Sequence, residues 1–452
     1  MMRSVDVLVA GGGVSGAVAA IAAARMGANT LLVEQNGYLG GAITACGVGP
    51  LATFHAGEKQ VIGGITQELI NQLKEAGGSL GHLADTSNFV SSLTPVSVEA
   101  MKRVLERMYL KAGGRLLYHT VVTGVQREGE RIRSAHLFHI GGEELCEAKL
   151  FLDCTGDASL CYLAGVPCTK GRISDGLCQP MTLKMRYFGV NSERLRNYIL
   201  NAPKENFARM NKNIRLLLET PRITTAIGFV SEFSLAKAEG ELHIPRENII
   251  LCENVVPGEY IVNTTRIIGL DPTNPEDLTQ AEIEGREQAW ELDRFLRLHI
   301  PGFEEAQLAF TGPSIGIRSS RQLVGAYTIT KEDVTSQRRF SDTICLSGFP
   351  VDIHSPTGEG THAEKSFHLG NYASIPYRAL YTPQVANLLV AGRCLSATFE
   401  AQSALRTGAT VGGIGHAAGV AAALALANGG DVRRVDEQML RQTLVKQRAI
   451  LA

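Results

Sequence analysis

The sequence predicts an α/β fold in which a parallel sheet with a β-meander is interrupted by an inserted α+β segment. Three observations predict it. A β-branched strand at the N-terminus runs straight into a glycine-rich turn and an alanine-rich helix. A second apolar strand ends in a glycine turn at residues 150–157. A third strand and a long glycine- and alanine-rich helix follow at residues 387–427. Strands alternating with helices build parallel sheets, because a parallel pair needs a crossover connection. The 452 residues are about three times a typical domain length, so two domains are expected.

The first element is the strand Val5-Asp6-Val7-Leu8-Val9-Ala10. It is bounded by Gly11-Gly12-Gly13 and continues Val14-Ser15-Gly16, a G-x-G-x-x-G directly after a strand. Ala17 to Met26 is helix-forming, Gly27-Ala28 ends that helix, and Thr30 to Val33 is a second strand closed by Glu34. Each glycine has a task. Gly11 permits the tight turn, Gly13 admits a pyrophosphate to the backbone, and Gly16 lets the helix pack close to the strand. The free N–H groups of the turn, at Val14 and Ser15, and the positive helix end hold phosphate. Glu34 stands 18 residues after Gly16 (34 − 16), where an acid accepts hydrogen bonds from adenosine ribose hydroxyls. A lone G-x-G-x-x-G is weak; strand, helix, second strand and acid together point to dinucleotide binding in a Rossmann-like domain.

Composition excludes several other classes. The formal net charge is −1, with 44 basic and 45 acidic residues and no basic run, which argues against a nucleic-acid surface. The nine cysteines include no C-x-x-C pair, so neither a disulfide framework nor a zinc-finger spacing is present, and a reducing cytoplasm is expected. No metal site is expected, since no His or acid spacing fits a ligand pattern. Val5 to Ala24 is nearly uncharged, but only Arg3 precedes it and glycines interrupt it, unlike a signal peptide or membrane anchor. Gly419 to Ala427 is apolar but too short to span a bilayer.

The motif alone does not choose between FAD and NAD. The segment Gln35-Asn36-Gly37-Tyr38-Leu39-Gly40-Gly41-Ala42 resembles the loop of FAD-dependent oxidoreductases of the glutathione-reductase-like superfamily. Leu150-Phe151-Leu152-Asp153-Cys154-Thr155-Gly156-Asp157 resembles their second glycine motif. Val48-Gly49-Pro50, Gly316-Ile317-Arg318, Asp352-Ile353-His354, Ile375-Pro376-Tyr377-Arg378 and Leu389–Ser396 look like the broad "FAD-dependent oxidoreductase" family, some of whose members carry a xanthan-lyase-like description. The likeness runs from about residue 4 to 427.

The resemblance implies FAD. It implies that Gln35, Gly40, Gly41, Ala42 and Thr44 follow the ribityl chain and flavin. The backbone near Val122 would hold the adenine, and Thr155 and Gly156 would line the same site. Gly392, Arg393, Gly412 and Gly413, on the returning strand and helix, would meet the pyrophosphate, ribityl chain and flavin O2. A helix N-terminus there stabilises negative charge on a reduced flavin. Where several relatives read Gly-Asp this chain reads Gly392-Arg393, so Arg393 is expected to act through its backbone. Asp157 reads as the N-cap of the next helix.

The expected organisation is an FAD-binding domain at residues 1–165, a substrate or cap domain at 166–369, a return of the FAD-binding domain at 370–430 and a C-terminal helix at 431–452 available for homo-oligomer contacts. The middle segment alternates strands (Thr182 to Phe188, Tyr260 to Thr264, Leu323 to Thr330) with helices. Thr279-Gln280-Ala281-Glu282 reads as a capping box opening a helix to about His299.

Three chemistries compete. A disulfide reductase needs two cysteines beside the flavin, and Cys46 has no second one nearby, because position 51 is Leu. Covalent flavin needs a His or Cys at the flavin; the Gly40–Ala45 loop lacks the histidine, which leaves only Cys46 as an attachment point. Direct hydride transfer between substrate carbon and flavin N5 needs a proton donor or acceptor. His354, in a loop rich in Gly, Pro and His, is the first choice for it; the alternative is a loop histidine bonding a carbonyl. Arg318 and Arg321 are candidates to bind a carboxylate or polarise a carbonyl, with a structural ion pair as the alternative. Arg266, His55, His362 and Tyr377 are further candidates. The expectation is an FAD-dependent oxidoreductase, dehydrogenase or reductase, acting on a small polar substrate and exchanging electrons with an unidentified donor or acceptor. The alternative is a flavin-bearing electron-transfer subunit of a larger redox complex.

Overall fold

The computed structural model describes residues 2–207, 210, 214–220, 222–363 and 368–452. Its central sheet has seven strands. In order they are Arg115–Leu117, Thr30–Val33, Met2–Ala10 and Gly142–Asp153, then the meander partners Arg131–His139 and Val121–Glu128. The seventh strand, Leu388–Val390, pairs parallel with Phe151–Asp153. The long strand Gly142–Asp153 therefore changes neighbours along its length. Its first half takes the antiparallel meander, and its last residues take the returning chain. This is the predicted parallel sheet with a β-meander.

The first strand ends at Ala10 because Gly11 turns the chain at φ +95°, in the left-handed region that favours glycine. The helix Val14–Arg25 follows and is buried throughout its first eleven residues, as its alanine-rich composition allows. It packs on the return helix Gly408–Ala427 through small residues. A Cβ on Gly415 would lie 2.2 Å from the Ser15 carbonyl oxygen, and one on Gly419 2.2 Å from that of Ala19. That return helix alone among the described residues is long and apolar enough to cross a bilayer, and 78% of its most apolar stretch is buried inside the fold.

A second core gathers Met181 to Ile315 around a five-stranded antiparallel sheet. Its strands, in order, are Ala226–Gly228, Ile249–Glu253, Tyr260–Val262, Met185–Phe188 and Gln307–Thr311. The helix Pro275–His299 contributes Ala281, Ala289, Leu292, Phe295 and Leu296 to this core. That helix starts one turn before the expected capping box. Asn274 caps it, and the Thr279 hydroxyl donates back to the Pro275 carbonyl instead of capping.

The inserted segment is also shorter than expected. Ile329, Val334, Ile344, Leu346 and Val351 pack in the first core with the FAD-domain helices, so the chain has returned well before residue 370. The strand Cys168–Lys170 pairs with Arg321–Leu323 beside the first domain. Of the expected Leu323–Thr330 strand, only Leu323 is strand. The C-terminal helix is Glu437–Lys446, with Leu440 and Leu444 buried against the first core.

Candidate functional site

A cavity of about 950 Å³ runs between the two cores. Its lining takes in Gly11, Gly13, Glu34 and Val122 of the nucleotide motifs, then Gly41, Thr155, Gly156, Gly392 and Arg393, and a cluster of charged residues that act on one another, Lys184, Arg246, Arg318, Asp352, His354 and Arg406. The sequence motifs therefore converge on one space.

The nucleotide end is built largely of backbone. Glycines Gly13 and Gly41 touch: a Cβ on Gly41 would sit 2.8 Å from the Gly13 Cα. Two helices aim their N-termini at the cavity, and both lack a side-chain cap and a first-turn acid, Val14–Arg25 and Gly408–Ala427. Several other helices of the chain are capped by side chains, as at Ser97, Asn191 and Asn274. An uncapped, buried helix start needs an outside acceptor, and a pyrophosphate or an anionic flavin ring provides one. Glu34 is buried and aims its carboxylate into the turn. It accepts from the Gly12 N–H at 2.6 Å and from the Asn36 N–H at 2.9 Å. The uncapped helix starts, the glycine floor and the lone acid fit FAD.

Of the residues expected at the cofactor, Val14, Ser15, Gln35 and Ala42 also line the cavity. Four others stand behind it. Gly16 performs its packing task, since a Cβ there would fall 1.9 Å from the Gly11 carbonyl oxygen. Thr44 turns its hydroxyl inward to the Leu39 carbonyl at 2.8 Å. Gly412 and Gly413 lie a turn too deep in the return helix, where they make room for Thr66 and the Cys345 sulfur. Thr407, Gly408 and Val411 line the cavity in their place. Arg393 uses its side chain as well as its position. Its guanidinium lies over Gly156 and pairs with Asp157 at 2.7 Å. That pair also corrects the expected role of Asp157, since the helix after it begins from Ala158 without a side-chain cap.

The far end gathers the buried titratable groups. His354 lies on the short strand Asp352–His354, which pairs with Thr361–Ala363. Its Nε2 is 3.3 Å from the Asp352 carboxylate, and its Nδ1 is 3.3 Å from the Thr361 hydroxyl. The carboxylate fixes the ring's orientation and selects the tautomer with hydrogen on Nε2. Burial and the Arg318 charge push the imidazole down to about 3, against the opposing pull of Asp352, so it is neutral at neutral pH. Burial alone would raise the Asp352 carboxyl, but His354, Arg406 and Arg318 outweigh it and hold the group ionised.

Arg318 is buried beside this pair and donates to the Pro180 carbonyl and the Thr182 hydroxyl. Three further cations at this end were missed in the sequence: Lys184, Arg246 and Arg406. Burial, then Arg318, brings the Lys184 ammonium down to about 7. The available signal was a lone cation inside an apolar run, as in Met181-Thr182-Leu183-Lys184-Met185.

The remaining candidates fall elsewhere. Tyr377 is fully buried in the first core and donates its hydroxyl to the Val432 carbonyl at 2.8 Å, so it cannot reach a substrate. Arg321 stacks on Tyr162, 4.2 Å from the ring centroid, in a separate surface cleft. Arg266 donates to the Ser355 and Gly360 carbonyls and so holds the hairpin that carries Thr361. His55 bonds the Ser92 hydroxyl. His362 pairs by backbone with Ile353, and its side chain lies outside the described residues. Cys46 lines the cavity, but burial raises its thiol to about 11 and it donates to the Ile315 carbonyl. All nine cysteines are free, and the described residues contain no metal-binding cluster.

Several solved structures resemble the chain at low identity. Among solved structures, the flavin-dependent brominase Bmp2 is 14% identical, with a TM-score of 0.50 over 98% of this chain and 83% of its own. A geranylgeranyl bacteriochlorophyll reductase-like protein from Thermoplasma acidophilum is also 14% identical, with a TM-score of 0.48 over 100% of this chain and 85% of that one. The p-nitrophenol 4-monooxygenase PnpA from Pseudomonas putida DLL-E4 is 10% identical, with a TM-score of 0.47 over 99% of this chain and 85% of that one. At these identities the likeness concerns the fold alone. No curated protein matches the chain in sequence. The family model for FAD dependent oxidoreductases matches residues 6–444. With that match spanning nearly the whole sequence, and a cavity shaped for the cofactor, the chain belongs to the FAD dependent oxidoreductase family and uses FAD.

Proposed function

We propose that this protein oxidises or reduces a small polar organic molecule in a substrate site of its own. One observation carries the reading: the cavity that begins at the dinucleotide motif ends at the buried Asp352–His354 pair among cations. An electron carrier without its own substrate needs no such end. When bound, FAD supplies the hydride acceptor or donor, at flavin N5.

The chain's own residues handle the proton and the charge. In the oxidation direction a hydride leaves the substrate carbon and a proton leaves the adjacent oxygen. His354 is neutral, its Nε2–H is held by Asp352, and Nδ1 is left as the acceptor. The Thr361 hydroxyl, 3.3 Å from Nδ1, relays that proton or yields its place to the substrate oxygen. Arg318, already fixed by Pro180 and Thr182, presents charge to the developing anion without reorganising. FAD is held without a covalent bond, since the cysteine in the flavin loop is a protonated, hydrogen-bonded thiol. The free cysteines support a reducing compartment such as the cytoplasm.

The test is turnover by the isolated holoprotein with an artificial electron acceptor, over a panel of small alcohols, hydroxy acids and amines. Turnover of at least one compound is expected. A holoprotein that accepts electrons only from another protein contradicts the reading and favours the electron-transfer subunit.

A further inference from the structure

We infer that the part of the cavity at Asp352 and His354 binds a carboxylate group of the substrate, with Arg246 and Arg406 as the residues that hold it. The inference rests on the proposed substrate site there and specifies what it takes.

Charge balance is the first argument. Four cations lie along that part, Lys184, Arg246, Arg318 and Arg406, and Arg266 lies beside them, fully buried. Among the described residues, Asp352 is the one buried carboxylate set among them. The other acids on the cavity wall are engaged elsewhere. Asp157 takes Arg393, Glu282 accepts from the Ile315 N–H, and Glu359 pairs with Lys237. Asp85 accepts from the backbone of Ser87, Phe89 and Val90. Glu247 is exposed to solvent, and its pull on Arg246 ranks behind that of Asp352. Glu34 serves the nucleotide end.

Orphaned donors are the second argument. Arg246 is 4% exposed, yet its Nη1 has no hydrogen-bond partner, and among the described residues its one bond is from Nε to the Asn248 carbonyl. Arg406 Nε is likewise buried and unpartnered, and its Nη2 makes one long bond of 3.4 Å to Gln179. Arg318, by contrast, is bonded to its own walls. Buried guanidinium groups without acceptors are costly, and guanidinium forks match carboxylates. Like-charge pressure points the same way. Burial pushes Lys184, Arg246, Arg318 and Arg406 toward losing a proton, and like charge adds to it: Arg318 on Lys184, Arg266 on Arg246 and Arg406 on Arg318. An anion placed between them reverses that pressure.

The probe set is succinate, glucuronate and benzoate, each against its neutral amide, titrated into the FAD-loaded protein and followed by the flavin absorbance spectrum. At least one acid is expected to bind about tenfold or more tightly than its amide, the effect of one charge-assisted hydrogen bond. Arg246→Gln and Arg406→Gln are each expected to weaken that acid about ten- to hundredfold, with flavin content as the check on folding. The acid–amide comparison needs no variant, so it decides the matter even where a substituted chain does not fold. The inference is overturned if no acid outbinds its amide, or if both variants fold and bind the acid as the parent does. Acid binding without flavin reduction leaves this site standing and counts against the redox reading. Flavin reduction by a neutral compound, with no acid preferred, does the reverse.

Discussion

Gly13 and Gly16 share one motif but answer to different constraints, and substituting each separates cofactor binding from folding. At Gly16 an added Cβ meets the Gly11 carbonyl oxygen at 1.9 Å and the Cys154 Cβ at 2.9 Å. The first obstacle is the backbone of the turn itself and cannot swing aside. Gly16→Ala should therefore destabilise the chain by about 3 kcal/mol or more. At Gly13 the backbone is at φ −59°, ψ 178°, open to any residue, and an added Cβ has no neighbour closer than the Gly41 Cα at 3.9 Å. The protein itself leaves room there; the cofactor does not. Gly13→Val should fold with stability within about 1 kcal/mol of the parent, since removing a glycine at a tolerant site costs little. Its side chain then occupies the phosphate path, and losing a pair of charge-assisted hydrogen bonds weakens FAD by about 10²- to 10⁴-fold. The assays are denaturant melts of the FAD-stripped chains and FAD titrations of each. Gly13→Val binding FAD as tightly as the parent, or Gly16→Ala melting with it, refutes the reasoning.

Three further substitutions probe the site. Glu34→Ala removes the acceptor of the Gly12 and Asn36 N–H groups as well as a ribose partner; FAD affinity, by fluorescence titration, should fall about ten- to hundredfold. Cys46→Ser should keep flavin reduction by substrate within about tenfold, because the buried thiol stays protonated, and a loss near a thousandfold would revive a thiol mechanism. His354→Asn should slow flavin reduction by about 10²- to 10⁴-fold with FAD still bound, and stopped-flow kinetics at equal flavin content decide it. The same variant should change acid stability. The folded His354 binds its proton less readily than the unfolded chain does, so stability is full above about pH 6.5 and falls as pH drops toward 3, by on the order of a few kcal/mol. Lowering of Asp352 adds a loss of the same sign at still lower pH. Denaturant melts across that range should flatten in His354→Asn, and an unchanged slope contradicts the assignment.

The nucleotide half of the site was legible because its demands are local. A tight turn, a helix start and an acid at the end of the next strand leave marks within about thirty residues, and Gly11, Gly13 and Glu34 stand where that logic puts them. Thr44, Gly412 and Gly413 came from resemblance rather than local need, and each turned out to serve packing. The substrate half was only partly legible. His354 and Arg318 announced themselves by polar loop context, while Lys184, Arg246 and Arg406 come from three distant segments and meet only in the folded chain. Tyr377 failed for the converse reason: a tyrosine in a motif reads the same whether it faces a cavity or, as here, a buried carbonyl. Ile329, Val334, Ile344, Leu346 and Val351, expected in the middle segment, pack with the first core, a placement that long-range packing and not local pattern decides.

The most direct measurement is an anaerobic titration of the purified, FAD-loaded chain with a turned-over substrate, no other protein present, followed by the absorbance of oxidised flavin. The cavity described here predicts complete loss of that absorbance at one substrate per flavin, and its return on admitting an electron acceptor. Flavin that stays oxidised against every substrate while a partner protein reduces it at once would contradict a substrate site in this chain.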